Sequence, residues 1–160
     1  MIERNFPLQQ GDLDYFCSIY AVINLLHSKG AVADLAAAGE SFTLLINEID
    51  RVKGGSVAAT ATEGTDGEDV IWFFKKLKFK AVEIKNPSAP EIVKSAQKGA
   101  IIFLRTTDTE FDHYTVVAAD SEEGRLGLLD SYGFDAILRD GDGWTLNGKS
   151  IEILNLYVLV

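Results

Sequence analysis

Residues 17–28 read Cys17-Ser18-Ile19-Tyr20-Ala21-Val22-Ile23-Asn24-Leu25-Leu26-His27-Ser28. Ile19, Val22, Ile23 and Leu26 fall at i, i+3, i+4 and i+7, a single apolar stripe at helical period, so the stretch predicts an amphipathic helix. Gly30 supplies its stop, and Asp14 or Ser18 its N-cap. Cys17 then stands in or just before the first turn, off the centre of the stripe.

Outward from this helix the pattern changes once. A second helix is predicted over Phe42–Val52, closed by Lys53-Gly54-Gly55, and a third over about Glu68–Leu77, with Val70, Ile71, Phe73, Phe74 and Leu77 turned inward. The small, polar stretch Gly54–Gly67 between them reads as a long loop. Lys78–Lys85 then alternates and predicts a strand. Pro90 opens a short helix that runs through Lys98 and closes at Gly99. Ala100–Arg105, His113–Ala119, Arg125–Asp130 and Ile151–Val160, rich in Ile, Val, Leu and Tyr, predict strands. Helices come first and mostly antiparallel strands follow, with one crossover helix. The expected class is α+β, N-terminal helices packed on a mostly antiparallel sheet.

The 160 residues predict a single domain over 1–160. Fifteen Lys and Arg stand against 24 Asp and Glu, a formal charge of −9, which repels phosphate backbones and argues against a nucleic-acid partner. No apolar run approaches the roughly 18 residues a membrane span needs. Met1–Gln10 has no apolar segment behind basic residues, so no Sec-type signal is expected. A cytoplasmic location follows, or export by a route that needs no signal. The one cysteine can form neither an internal disulfide nor a Cys-rich zinc site, and no metal or cofactor is expected.

Five residues draw attention. A thiol at a helix start, as at Cys17, feels the positive end of the dipole and unpaired N–H groups, which favour the thiolate, although an isolated cysteine is more often a small buried hydrophobe. His113 opens a strand after the acidic loop 108–112, where a bond to a nearby carboxylate is its ordinary use. Asp130 ends the next strand, where an aspartate ordinarily forms a turn. If Glu122-Glu123 form a symmetric hairpin tip, residue 117 faces 128 and 115 faces 130, and His113 and Asp130 become diagonal neighbours on one face. A bulge at Gly124 would put them on opposite faces. Gln9 and Gln10 precede the helix; either a polar approach loop or a side-chain amide for a developing oxyanion fits them.

Other candidates read as structural. His27 lies ten residues along the helix from Cys17, about 15 Å of rise, too far to serve as its base. Asp140-Gly141-Asp142-Gly143 suggests calcium, but Trp144 occupies a ligand position and no glutamate closes the loop, so it reads as a turn. Trp72, Phe73 and Phe74 read as core. Thr60–Gly67 could cover a cleft, with a simple loop as the default.

The segments Gln10-Gly11-Asp12-Leu13-Asp14-Tyr15-Phe16-Cys17-Ser18-Ile19-Tyr20-Ala21, His113-Tyr114-Thr115-Val116-Val117 and Leu128-Leu129-Asp130-Ser131-Tyr132 together resemble the papain-like cysteine peptidases. The likeness is to the compact bacterial branch that includes the leader-cleaving peptidase domains of bacteriocin exporters. The resemblance implies a papain-like fold with the nucleophile on the first long helix. It implies Cys17 as nucleophile, His113 as general base and acid, Asp130 as the orienting carboxylate and Gln10 as oxyanion donor. It further implies a thiol hydrolase acting on a peptide or protein substrate, a cysteine peptidase or isopeptidase. The same triad serves acyl transfer, transglutamination and deamidation. Where the family commonly has glycine beside the nucleophile, this chain has Tyr15-Phe16, and proline commonly follows the aspartate where Ser131 stands here. A second reading follows: an inactive papain-like binding module whose cleft those two rings close.

Overall fold

The computed structural model describes residues 6–11, 14–52 and 56–160. Helix α1 spans Cys17–Ser28, the limits its apolar stripe predicts, and Gly30, at φ 74°, ends it by donating its N–H to the His27 carbonyl. Helix α2 spans Leu35–Val52 and starts seven residues before the expected Phe42. Its first two turns are alanine-rich, with high helix propensity but little apolar periodicity, and Asp34 caps them by accepting the Ala37 N–H at 2.9 Å. The predicted stop Lys53-Gly54-Gly55 lies outside the described residues.

The expected loop contains a short helix, α3 (Val57–Glu63), capped by the Ser56 side chain and stopped at Gly64, φ 79°. Helix α4 (Gly67–Lys76) opens with a reciprocal capping box between Asp66 and Asp69. Strand β1 (Ala81–Lys85), helix α5 (Ala89–Ala96) and strands β2 (Ala100–Thr106), β3 (Asp112–Val117) and β4 (Arg125–Leu129) follow near their predicted positions. Two further strands were not expected, β5 (Ala136–Asp140) and β6 (Gly143–Leu146), before the final β7 (Lys149–Leu159). Both are short and half exposed: β5 ends in three exposed residues, and β6 alternates over only four. Asn147-Gly148, at φ 49° and 77°, is the local signal for the β6–β7 hairpin, a dipeptide suited to a type I′ turn. Asp140-Gly141-Asp142-Gly143 is the β5–β6 turn.

These strands overturn the papain-like arrangement of N-terminal helices packed on a mostly antiparallel sheet. The sheet runs β1-β7-β2-β3-β4-β5-β6, and β6 pairs again with β7. Strands β2 to β7 therefore close a six-stranded antiparallel barrel, with β1 as one outer strand on β7. Closure depends on a bend in β7. Phe103 pairs with Asn155 but Leu104 with Ile153, so Leu154 is an extra residue in the ladder. Below it, Lys149–Ile151 pair with β6; above it, residues 155–159 pair with β1. A bulge of this kind bends and twists a strand, which lets one strand serve two neighbours along the same edge.

Two apolar clusters result. Ile102, Leu104, Val117, Leu126, Ile137 and Ile151 are among the residues of the barrel cluster, to which α5 adds Ile92 and Ala96. Ile19, Val22, Ile23 and Leu26 of α1 pack with Phe73 and Phe74 of α4 and with Ile101, Tyr114 and Val116 on the opposite faces of β2 and β3. Phe73 and Phe74 are thus core, as read from the sequence. No helix among the described residues is long and apolar enough to cross a membrane.

Gly67, the first residue of α4, sits where any Cβ would overlap the Tyr157 hydroxyl, which is bonded to Glu83. Gly67→Ala should cost about 1–3 kcal/mol in urea unfolding. Part of that loss should disappear in the Tyr157→Phe background; additive losses would show that the overlap is relieved elsewhere.

Candidate active site

Strand alternation positions the first pair. Val117 pairs with Leu128 and Val116 with Leu129. This is the register in which His113 and Asp130 become diagonal neighbours. The hairpin reaches it by a route slightly different from a symmetric Glu122-Glu123 tip. Glu123-Gly124 form the tip, since Glu122 and Arg125 exchange backbone hydrogen bonds, and a second turn at Ala118–Ser121 absorbs the two extra residues. The face of β3 that carries Val117 into the barrel also carries Thr115 and His113.

His113 is fully buried, and its Nε2 lies 2.6 Å from Asp130 Oδ1. The other carboxylate oxygen, Oδ2, accepts the backbone N–H of Tyr132 at 2.8 Å and of Phe134 at 3.3 Å. Asp130 therefore closes a turn as well as holding the imidazole. Phe111, Tyr132 and Phe134 surround the ring, with centroids 5.6, 4.9 and 6.1 Å away.

Electrostatics decide the charge on this pair. Burial is the largest influence on His113 and opposes its cation, but the hydrogen bond to Asp130, then the interaction with Cys17 and the charges of both, prevail and raise its pKa to about 9. For Asp130 burial again comes first and pushes upward, yet the His113 bond and charge, the Thr115 hydroxyl and the Tyr132 N–H hold the carboxyl below its usual range. Nδ1 of His113 makes no hydrogen bond of good geometry. With Nε2 committed to Asp130, Nδ1 is the ring nitrogen left to face Cys17, whose influence helps raise the histidine.

Cys17 is the first residue of α1 and half buried. The N-cap residue is Phe16, whose side chain cannot cap; Asp14 instead accepts the Phe16 N–H at 3.2 Å and the Gly11 N–H at 3.0 Å, bracing the approach to the helix. Among the described residues the Cys17 N–H has no acceptor, which leaves it one of the unpaired donors at the positive end of the helix.

A cleft of about 280 Å³ opens at Cys17, walled by Tyr15, Gly64, Thr65, Phe111, Tyr114 and Tyr132 among others. A larger, shallower concavity of about 910 Å³ near Trp144 contains no cysteine or histidine, so the chemistry points to the smaller one. The stretch 60–67 walls this cleft and is tied down, through Thr65 Oγ1 donating to Ser18 Oγ at 2.6 Å and the Tyr15 N–H donating to the Ala61 carbonyl. Of the two rings expected to close it, only Tyr15 borders the cleft. Phe16 turns into the core and meets Phe42 edge to face at 5.9 Å.

Gln10 is buried beside the site and Gln9 is exposed. Gln10 Nε2 donates to the Asp14 carbonyl at 2.7 Å and to the Tyr132 hydroxyl at 2.9 Å, while its Oε1 accepts from Ser131 Oγ at 2.9 Å. The sequence reading missed Tyr132 and Thr115, although the hairpin register that aligns His113 with Asp130 also puts residue 132 opposite 113 and residue 115 opposite 130. His27 is structural, its Nδ1 2.7 Å from the Val32 carbonyl oxygen and its ring stacked on Phe6. No cluster of His, Cys, Asp and Glu among the described residues could hold a metal ion.

No family model and no curated protein matches the sequence. Thirteen solved chains match the structure. One is the crystal structure of a "putative C39-like peptidase" from Bacillus anthracis, with a TM-score of 0.52 and 18% identity over 96% of this chain and 94% of that one. At that identity the likeness concerns the fold alone.

The buried pair links stability to pH at both ends. His113, raised from 6.5 to about 9, contributes fully below pH 6.5 and loses that contribution as pH rises through about 9. Asp130, lowered from 3.8, contributes above that value and loses it as pH falls through its depressed pKa. Urea titrations should therefore show wild-type stability declining above neutrality. Asp130→Ala should lower stability by about 3–5 kcal/mol at pH 6 and flatten the alkaline decline. Wild-type stability that stays level from pH 6 to 9 would mean a neutral imidazole.

Proposed function

We propose that this protein is a thiol hydrolase that cleaves peptide or isopeptide bonds. What supports the reading is the chain's one cysteine, at a helix start, close enough to a buried imidazole to help raise its pKa, with that imidazole held by a carboxylate at 2.6 Å. The catalytic roles follow from the chemistry of these groups.

His113 takes the proton of Cys17 on Nδ1, and its Nε2–H stays on Asp130 throughout, which keeps the imidazolium oriented. The Cys17 sulfur attacks the substrate carbonyl carbon, and the carbonyl π electrons move to oxygen. That oxyanion is met by the Cys17 backbone N–H and by the hydrogen-bonded pair of Gln10 and Tyr132. The tetrahedral species collapses as Nδ1 gives its proton to the leaving amine, and a thioester remains on Cys17. Neutral His113 then takes a proton from water, whose oxygen attacks the thioester carbon, and the thiol leaves with that proton returned. An amine in place of that water would make the same sequence an acyl transfer.

The cleft supports a peptide of neutral or positive charge. Among the described residues Glu63, Glu110 and Asp112 line it and no Lys or Arg does, although Arg105 pairs with Asp112 at 3.7 Å. The chain's net charge of −9 has the same sign, so anionic substrates are repelled at long range.

The test is the pH dependence of Cys17 alkylation by iodoacetamide, followed by a panel of fluorogenic peptides. Alkylation should lose its low-pH limb in His113→Ala. Peptide cleavage should fall by about 10⁴-fold or more in Cys17→Ala and His113→Ala, and basic peptides should outrun acidic ones. Alkylation indifferent to His113, with no peptide cleaved, would sink the reading.

A further inference from the structure

The amide that the family resemblance marks as oxyanion donor is not free to donate. Both Nε2 protons of Gln10 are committed, one to the Asp14 carbonyl and one to the Tyr132 hydroxyl. Its oxygen is bonded to Ser131, so the amide cannot turn without breaking a third bond. Gln10 is also buried and does not line the cleft at Cys17, whereas Tyr132 does. Turning the amide toward a substrate would break its part-buried bonds to the Asp14 carbonyl or the Tyr132 hydroxyl, at a cost in free energy.

Tyr132 has the opposite inventory. Its phenolic oxygen accepts the Gln10 N–H, and among the described residues its own proton has no acceptor. Accepting one hydrogen bond polarises the O–H and strengthens it as a donor. The side chain is also held in place. Its backbone N–H is on Asp130 Oδ2 at 2.8 Å, and its ring lies 4.9 Å from the His113 ring and 6.1 Å from that of Phe111. Burial first, and then the charge of Cys17, raise the phenol above its ordinary pKa of 10, so it remains a donor at neutral pH.

We infer that the Tyr132 hydroxyl, oriented by Gln10, is the side-chain donor that meets the oxyanion formed at Cys17, with the Cys17 N–H as the second donor. Gln10 is then a positioning residue that acts through Tyr132. No proton leaves the phenol; it stabilises the charge by hydrogen bonding alone. The inference rests on the thiol-hydrolase reading.

Two reactions of the same thiol separate the inference from that reading. Alkylation by iodoacetamide displaces iodide at a saturated carbon and forms no oxyanion. Acylation by p-nitrophenyl acetate passes through a tetrahedral oxyanion and releases nitrophenolate in a burst. Tyr132→Phe should leave the alkylation rate and its pH profile within about twofold of wild type while slowing the acylation burst by about 10²-fold. Gln10→Ala should slow acylation as well, and should cost nothing further in the Tyr132→Phe background, because the two act as one unit.

Acylation at the wild-type rate in Tyr132→Phe but not in Gln10→Ala would make Gln10 the direct donor and overturn the inference. Faster acylation in Tyr132→Phe would show that the hydroxyl obstructs the site, and equal losses in both reactions would reduce its role to supporting the nucleophile; either result overturns it. Wild-type alkylation that ignores His113→Ala would instead bring down the thiol-hydrolase reading and this inference together.

Discussion

Strand β7 sets the geometry that everything else inherits. Its eleven residues must find partners for their N–H and C=O groups on both edges, because most of the strand runs through apolar surroundings. One edge is occupied along its length by β2, and the other is shared between β6 and β1. The extra residue at Leu154 makes the division workable. Its carbonyl leaves the regular ladder and accepts the Asn86 N–H at 2.8 Å, so that oxygen keeps a partner at the bulge. Closing the barrel removes the open edges that a six-stranded sheet would otherwise present. It also seals the apolar interior containing Ile102, Leu104, Ile151 and Ile153.

A closed barrel gives β3 and β4 little freedom to slide, and the His113–Asp130 contact needs that rigidity. A shift of one residue would turn one of the two side chains to the opposite face. In the observed register, the pair is buried with its hydrogen bonds provided locally by the Ser131–Phe134 turn. Taking an imidazolium and a carboxylate out of water costs several kcal/mol per ion, and apolar residues of similar volume could fill the space at less cost. The pair nevertheless stays paired in this fold, next to the cleft that Cys17 lines, and the proposed function starts from that placement.

The cysteine reaches this cluster from the other end of the chain. The start of α1 is held by Asp14 on the Phe16 and Gly11 N–H groups, by Thr65 on Ser18, and by Gln10, whose own N–H donates to the Ser131 carbonyl at 3.0 Å. Gln10 therefore joins the two halves of the site: its backbone and its side-chain oxygen are on Ser131, and its amide nitrogen reaches both the α1 approach and Tyr132. Phe16 adds to the anchorage by packing inward on Phe42, where a glycine would leave the helix start less firmly seated.

Local chemistry explains how much was legible in the sequence. The 3.6-residue period of Ile19, Val22, Ile23 and Leu26 determined α1, Pro90 and Gly99 bounded α5, and the turn-forming residues between β3 and β4 made the register of His113 and Asp130 a choice between two outcomes. Residue types and order also drew attention to Cys17, His113, Asp130 and the pair Gln9-Gln10, between which only the family resemblance chose Gln10. Tertiary structure decided what depends on partners distant in the chain. The closure of the sheet needed β7 to pair with three strands at once, and the short, half-exposed β5 and β6 offered little pattern of their own. The inward turn of Phe16 and the commitment of both Gln10 protons were equally out of reach. A side chain's direction and a donor's availability depend on what packs against them, and here those neighbours, Phe42 for the one and Tyr132 for the other, come from other elements of the fold.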